Sequence, residues 1–168
     1  LYETRAELRT RHPRPEDADE CGYVLAPMQI FNDTQIAFHS PWDSMHEFVA
    51  HLEAVFGADL VIRPHPKSSA SYKPRRAMVR HGGPLLDEVA GARAVVGINS
   101  TSLLEAAVYG VPVLALGACG LRAHAPRDHD LVAAGALALN VDRTGGDASR
   151  VLERFGLGPR MRLGGAAP

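Results

Sequence analysis

The sequence predicts an α/β domain of the Rossmann-like kind: three layers, α/β/α, built on a parallel sheet of about five strands. Two patterns carry that expectation. Apolar runs of four to seven residues recur without the polar alternation of a half-exposed strand, and each is followed by a helical pattern. The length of 168 residues suits one such domain, because single domains usually run to roughly 100–200 residues.

The elements follow in order. Residues 1–22 are rich in charge and proline and read as a helix fragment and linker, or as the end of a preceding domain. Residues 23–28 form the first apolar run, followed by a long polar loop over 29–43. Residues 44–56 place Phe48, Leu52, Val55 and Phe56 on one helical face, and Ser44 with Glu47 has the form of a capping box. Leu60-Val61-Ile62 is a second strand. A short helix over 85–90 precedes a third strand over 94–98. The helix over 102–109 is stopped by Gly110, and 112–116 is a fourth strand. A fifth strand is expected over 136–141 and a last helix over 148–155. The domain thus spans 23–156, and the Gly/Pro-rich stretch 157–168 reads as a flexible tail.

Composition narrows the function. Hydrophobic residues make up 46% and charged residues 22%, which excludes a chain disordered throughout. Eighteen basic residues against nineteen acidic give a net charge of −1, so no global field draws in nucleic acid or anionic lipid. No apolar run approaches the ~20 residues of a membrane helix, and no stretch here reads as a signal peptide. Two cysteines, Cys21 and Cys119, read as reduced thiols of a cytosolic protein. The eight histidines show no metal-ligand spacing, so no metal site is indicated. A dinucleotide dehydrogenase is disfavoured, because no Gly-x-Gly-x-x-Gly follows a strand.

In parallel sheets ligands bind beyond the carboxyl ends of the strands, and there the unusual residues gather. In Arg63-Pro64-His65-Pro66-Lys67 two prolines stiffen the chain around a histidine flanked by cations, an arrangement suited to phosphate. Asn99-Ser100-Thr101-Ser102 runs from a strand into a helix start, where N–H groups favour anions. Such residues are also ordinary helix caps, and Ser102 with Glu105 fits a capping box; one cap needs only one of the four. Glu105, one turn inside that helix, could accept hydrogen bonds from a ribose diol. The ionisable stretch 122–130 has no spacing that compels a role and reads as a solvated loop.

These three stretches, continued by Ala106-Ala107-Val108-Tyr109-Gly110-Val111-Pro112-Val113, resemble the carboxyl-terminal half of the GT-B glycosyltransferases that build bacterial capsules. The likeness is greatest to capsule polysaccharide transferases using CMP-activated Kdo, and it covers roughly residues 23–141. It implies a nucleotide-sugar donor, CMP-Kdo, with no separate cofactor and no metal. His65 and the hydroxyls of Ser100, Thr101 and Ser102 would hold the phosphate, with Arg63, Lys67 and Asn99 beside them. Glu105 would bind on the ribose or cytosine side. Gln29 and Asp33, the two catalytic candidates, lie in a loop similar to the family's Gln-containing loop facing the sugar, where Asp33 could attack or stabilise the anomeric centre. A loop aspartate that merely caps a turn is the plainer reading of Asp33. Arg63 stands where lysine is expected, which keeps the charge and alters the contact geometry.

A GT-B enzyme places its site between two such domains, and the length suits one. With Leu1 at the start, the expectation is a donor-binding piece of a longer transferase, unable by itself to transfer sugar. The glycan or glycolipid acceptor would bind an N-terminal domain outside it. The implied location is the cytoplasm, at the inner membrane surface. A UDP-sugar transferase or epimerase of the same fold, or a non-catalytic module that has lost the site, remain the alternatives.

Overall fold

The computed structural model describes residues 4–30 and 34–124, with positions 129, 132, 133 and 136. Five strands form one parallel sheet: β1 (Tyr23–Pro27), β2 (Leu60–Arg63), β3 (Met78–Val79), β4 (Ala92–Gly97) and β5 (Val113–Ala115), in the order β3-β2-β1-β4-β5. The helices are α1 (Arg5–Arg11), α2 (Ala18–Cys21), α3 (Thr34–His39), α4 (Met45–Phe56), α5 (Leu85–Ala90), α6 (Thr101–Tyr109) and α7 (Gly120–Ala123).

The strands lack polar alternation because both faces of the sheet are covered. Val24 and Ala26 of β1, Leu60 and Ile62 of β2 and Val96 of β4 pack with Ile36 of α3 and Met45, Phe48, Val49 and Leu52 of α4. The intervening Leu25, Val61 and Val95 point to the other face, against Val89 of α5 and Leu103, Ala106 and Ala107 of α6. Two apolar cores therefore flank one sheet, as the three-layer expectation requires. On α4 the buried stripe is Met45, Phe48, Val49 and Leu52, whereas Val55 is largely exposed. Ser44 caps that helix, accepting from the Glu47 N–H at 3.1 Å; the Glu47 carboxylate reaches one residue further back, to the Asp43 N–H.

Several boundaries differ from the sequence reading, each for a physical reason. The loop expected over 29–43 contains α3, a helix of six residues that is too short for periodicity to reveal. The strand expected at 136–141 and the helix at 148–155 lie outside the described residues beyond Ala136, and 157–168 lies wholly outside them. The fifth observed strand is instead β3, two residues held on β2 through the pairs Val61↔Met78 and Ile62↔Val79.

The amino-terminal segment expected as a linker is docked on α6. Leu8 enters the core, Arg5 donates to the carbonyls of Val108 (3.1 Å) and Ala107 (3.4 Å), and Arg9 donates to that of Tyr109 (3.2 Å). The buried Tyr109 hydroxyl donates back to the His12 carbonyl at 2.5 Å. Gly110 ends α6 at φ 91°, in the left-handed region that favours glycine, and a Cβ there would lie 2.6 Å from Arg5 Nε. Cys21 is exposed, Cys119 is half-buried, and both are free. Among the described residues no helix is long and apolar enough to cross a membrane.

Candidate functional site

The chain leaves β1 for β2 and β3 on one side, then returns to β4 and β5 on the other. The strand order therefore reverses between β1 and β4, and a crevice at such a point is where open α/β sheets bind ligands. Ladder contacts carry the strands slightly past their ends. Met28 N–H donates to the Arg63 carbonyl (2.8 Å), Leu116 N–H to Gly97 (2.8 Å) and Gly117 N–H to Ile98 (2.9 Å). Beyond these contacts the rim reads, in sheet order, His65, Gln29, Asn99 and Ala118.

At the switch point two side chains meet. Gln29 is 6% exposed, and its amide pairs with Asn99 across the β1–β4 boundary. The Asn99 backbone N–H donates to Gln29 Oε1 at 3.3 Å, so Nε2 faces Asn99 Oδ1, to which it donates at 3.0 Å.

After β2, the Lys67 backbone N–H donates to His65 Nδ1 at 3.1 Å, while Ser68 N–H closes the turn on the His65 carbonyl. An occupied Nδ1 lone pair leaves the hydrogen of the neutral ring on Nε2. His65 thus presents a donor from a turn stiffened on both sides by proline, and the Lys67 side chain beside it is exposed.

Arg63 does not present an open cation. Its guanidinium pairs with Glu88 Oε1 at 2.8 Å, both side chains being only 12–13% exposed, and donates to the carbonyls of Gly82 (3.0 Å) and Gly83 (2.6 Å). The cluster expected of Arg63, His65 and Lys67 is therefore divided: the His65 donor and the Lys67 ammonium stand together, and Arg63 ties the 82–83 turn to the end of β2. Pairing explains the difference: a half-buried guanidinium takes the nearest carboxylate and carbonyls.

The polar run at α6 also divides its tasks. Ser100 is the N-cap; its Oγ accepts from the Ser102 N–H (3.3 Å) and shares a 2.5 Å hydrogen bond with Ser102 Oγ. The helix therefore starts at Thr101, one residue earlier than expected, and Ser100 takes the capping position expected of Ser102. The four polar residues, more than one cap needs, are accounted for in part: Asn99 pairs with Gln29, and Ser100 and Ser102 pair with each other. Thr101 is exposed. Glu105 lies three residues beyond Ser102, one turn along the same side of α6. Its side chain is exposed, yet the protein around the carboxyl desolvates it and raises its pKa above the ordinary glutamate value.

Asp33 lies outside the described residues. Among those described, no group of three or more His, Cys, Asp or Glu could hold a metal ion. Two features escaped the sequence reading. Glu88 as the partner of Arg63 comes from another element, and its only signal was a glutamate in a short apolar helix. The Gln29–Asn99 pair was announced only by a glutamine directly following a buried strand.

A model of the capsule polysaccharide biosynthesis protein family matches residues 3–121, which span every described site residue and the docked amino-terminal segment. The chain belongs to that family. Three relatives are similar to this chain, two of them capsule polysaccharide proteins by name. Protein FixF of Sinorhizobium fredii is 34% identical over 106 residues, covering 57% of this chain and 26% of its own length. The capsule polysaccharide export protein KpsS of Escherichia coli is 28% identical, covering 56% and 30%. The capsule polysaccharide modification protein LipB of Neisseria meningitidis serogroup A is 27% identical, covering 56% and 28%. The capsule-family chain thus spans under a third of the length of these relatives. Its fold resembles that of Thermosulfurimonas dismutans KpsC, a beta Kdo 2,7 transferase, with a TM-score of 0.52 at 21% identity over 67% of this chain and 38% of that one.

Proposed function

We propose that this chain is the donor-binding part of a capsule polysaccharide glycosyltransferase, and that it takes a CMP-activated sugar, CMP-Kdo. The observation that carries the reading is the rim itself. A histidine whose free Nε2–H is set by its own turn lies beyond β2, and the amino end of α6 lies beyond β4, on either side of β1. Both offer hydrogen-bond donors to an anion, and neither needs reorganisation to do so. The capsule-family match and the KpsC-like fold support the sugar-transfer class.

In this reading His65 Nε2–H and the Lys67 ammonium hold the phosphate from one side. Thr101, Ser102 and the first α6 amides hold it from the other. Glu105 accepts from the ribose hydroxyls. Arg63 supports the rim through Glu88 and the 82–83 turn. Asp33 supplies the carboxylate at the anomeric centre. A glycan or glycolipid acceptor binds elsewhere in the transferase, in the cytoplasm at the inner membrane surface. The chain alone binds donor and does not transfer sugar at the rate of a two-domain enzyme.

Calorimetry with CMP and UDP tests the donor class, with CMP expected to bind more tightly. Replacing His65 with Ala should weaken CMP binding by about 1.5–3 kcal/mol, the range for a hydrogen bond to a charged group. A clear preference for UDP overturns the CMP assignment. Absence of binding to either nucleotide, or indifference to the His65 substitution, points to a module without the site.

A further inference from the structure

We propose that Gln29 is a positioning residue: it acts through Asn99 to set the turn that opens α6 and does not itself contact the donor. The inference rests on the donor-site reading for its functional consequence and on geometry for the rest. Gln29 is almost fully buried, and a buried amide is stable only when its donors and acceptors are met. Asn99 meets one of each, through its backbone N–H and its Oδ1, closing a two-bond ring between residues 70 apart in sequence.

That ring joins two supports that are already fixed. Behind Gln29, Met28 is bonded to Arg63 of β2; behind Asn99, Ile98 accepts from Gly117 beyond β5. Asn99 is followed directly by Ser100, the N-cap, whose carbonyl accepts from Leu103 and whose Oγ accepts from Ser102. Fixing Asn99 from two sides therefore fixes where the first α6 amides and the Ser100 and Ser102 hydroxyls stand. Oε1 of Gln29 and one hydrogen of its Nε2 are engaged by Asn99, which leaves this side chain poorly placed to serve a sugar or phosphate.

A double-mutant cycle on CMP affinity separates the two roles, using Gln29→Met, which keeps the length and removes the hydrogen bonds, with Asn99→Ala. Each single change should weaken CMP by about tenfold, a loss of roughly 1.4 kcal/mol. The double mutant should be no weaker than the worse single. In the ligand-free protein, Q29M should also move the amide resonances of Ser100, Thr101 and Ser102 and leave that of Lys67 in place. Multiplying losses, with those amides unmoved, would overturn the proposal and make Gln29 a direct contact.

If the wild-type chain binds neither CMP nor UDP, the donor reading fails, and the ligand-free resonances still decide the positioning role. Should Q29M not fold, N99A carries the test. The Gln29 side-chain amide protons should exchange slowly in the wild type and lose that protection in N99A; equal exchange in the two would overturn the proposal.

Discussion

At Gly117 a side chain has no room. A Cβ there would lie 2.4 Å from Ile98 Cγ2, 2.9 Å from the His39 carbonyl oxygen and 3.0 Å from that of Ile98. Two of these three atoms are backbone, so little can yield. Gly117→Ala should cost about 1–3 kcal/mol, as overpacking does, and urea unfolding reads the loss directly. An unchanged midpoint would show that the loop after β5 is not held against Ile98. At this scale the sequence was legible where the constraint is local. His65 could be singled out because Pro64 and Pro66 restrict its own turn. The ion pair of Arg63 was not legible, because it depends on Glu88, a residue of another element. Gly117 is a necessity created by Ile98 and His39, which no reading of neighbouring residues discloses.

Elements were legible in proportion to their length. The helix α4, of twelve residues, showed its cap Ser44 and its buried Phe48 and Leu52 in advance, and α6, of nine, its stop at Gly110. The two-residue strand β3 did not, since it is defined by its partners. Among these is Glu53 of α4, whose carboxylate accepts from the backbone N–H of Arg76 and, at 2.9 Å, of Ala77, just before β3 begins. These backbone donors hold the Glu53 pKa below the ordinary glutamate value. The sign follows from linkage: a carboxyl with a lowered folded-state pKa stabilises the protein above its unfolded pKa. That contribution is lost as the pH falls through the folded value. Glu53→Gln should therefore lower the urea midpoint at neutral pH and flatten its decline towards acid. A wild-type slope retained in the variant would show that Glu53 does not hold the approach to β3. The segment before β1 teaches the same lesson in reverse. Its charge and proline suggested a linker, yet Leu8, Arg5 and Arg9 bind it to α6, through backbone carbonyls that composition cannot reveal.

For the whole molecule, unbroken apolar strands separated by helices sufficed to imply a parallel sheet with two covered faces. The two cores meet that expectation, one on the α4 side and one on the α5 and α6 side. The strand order was not legible, because it depends on which short strand closes the β2 edge. It matters most for function, since it puts the switch point between β1 and β4 and so brings Gln29 to Asn99. The near-neutral net charge conceals this local arrangement of donors along one edge of the sheet.

The donor site proposed above requires the carboxyl ends of β1, β2 and β4 to receive the phosphate of a cytidine nucleotide. The most direct test follows backbone amide and histidine ring resonances while CMP is titrated into the isotope-labelled chain. Saturable shifts are expected at His65, including Nε2, at Lys67 and at Ser100, Thr101 and Ser102, with weaker changes for equal UDP. Shifts confined to residues away from the ends of β1, β2 and β4, or none at saturating CMP, would contradict it.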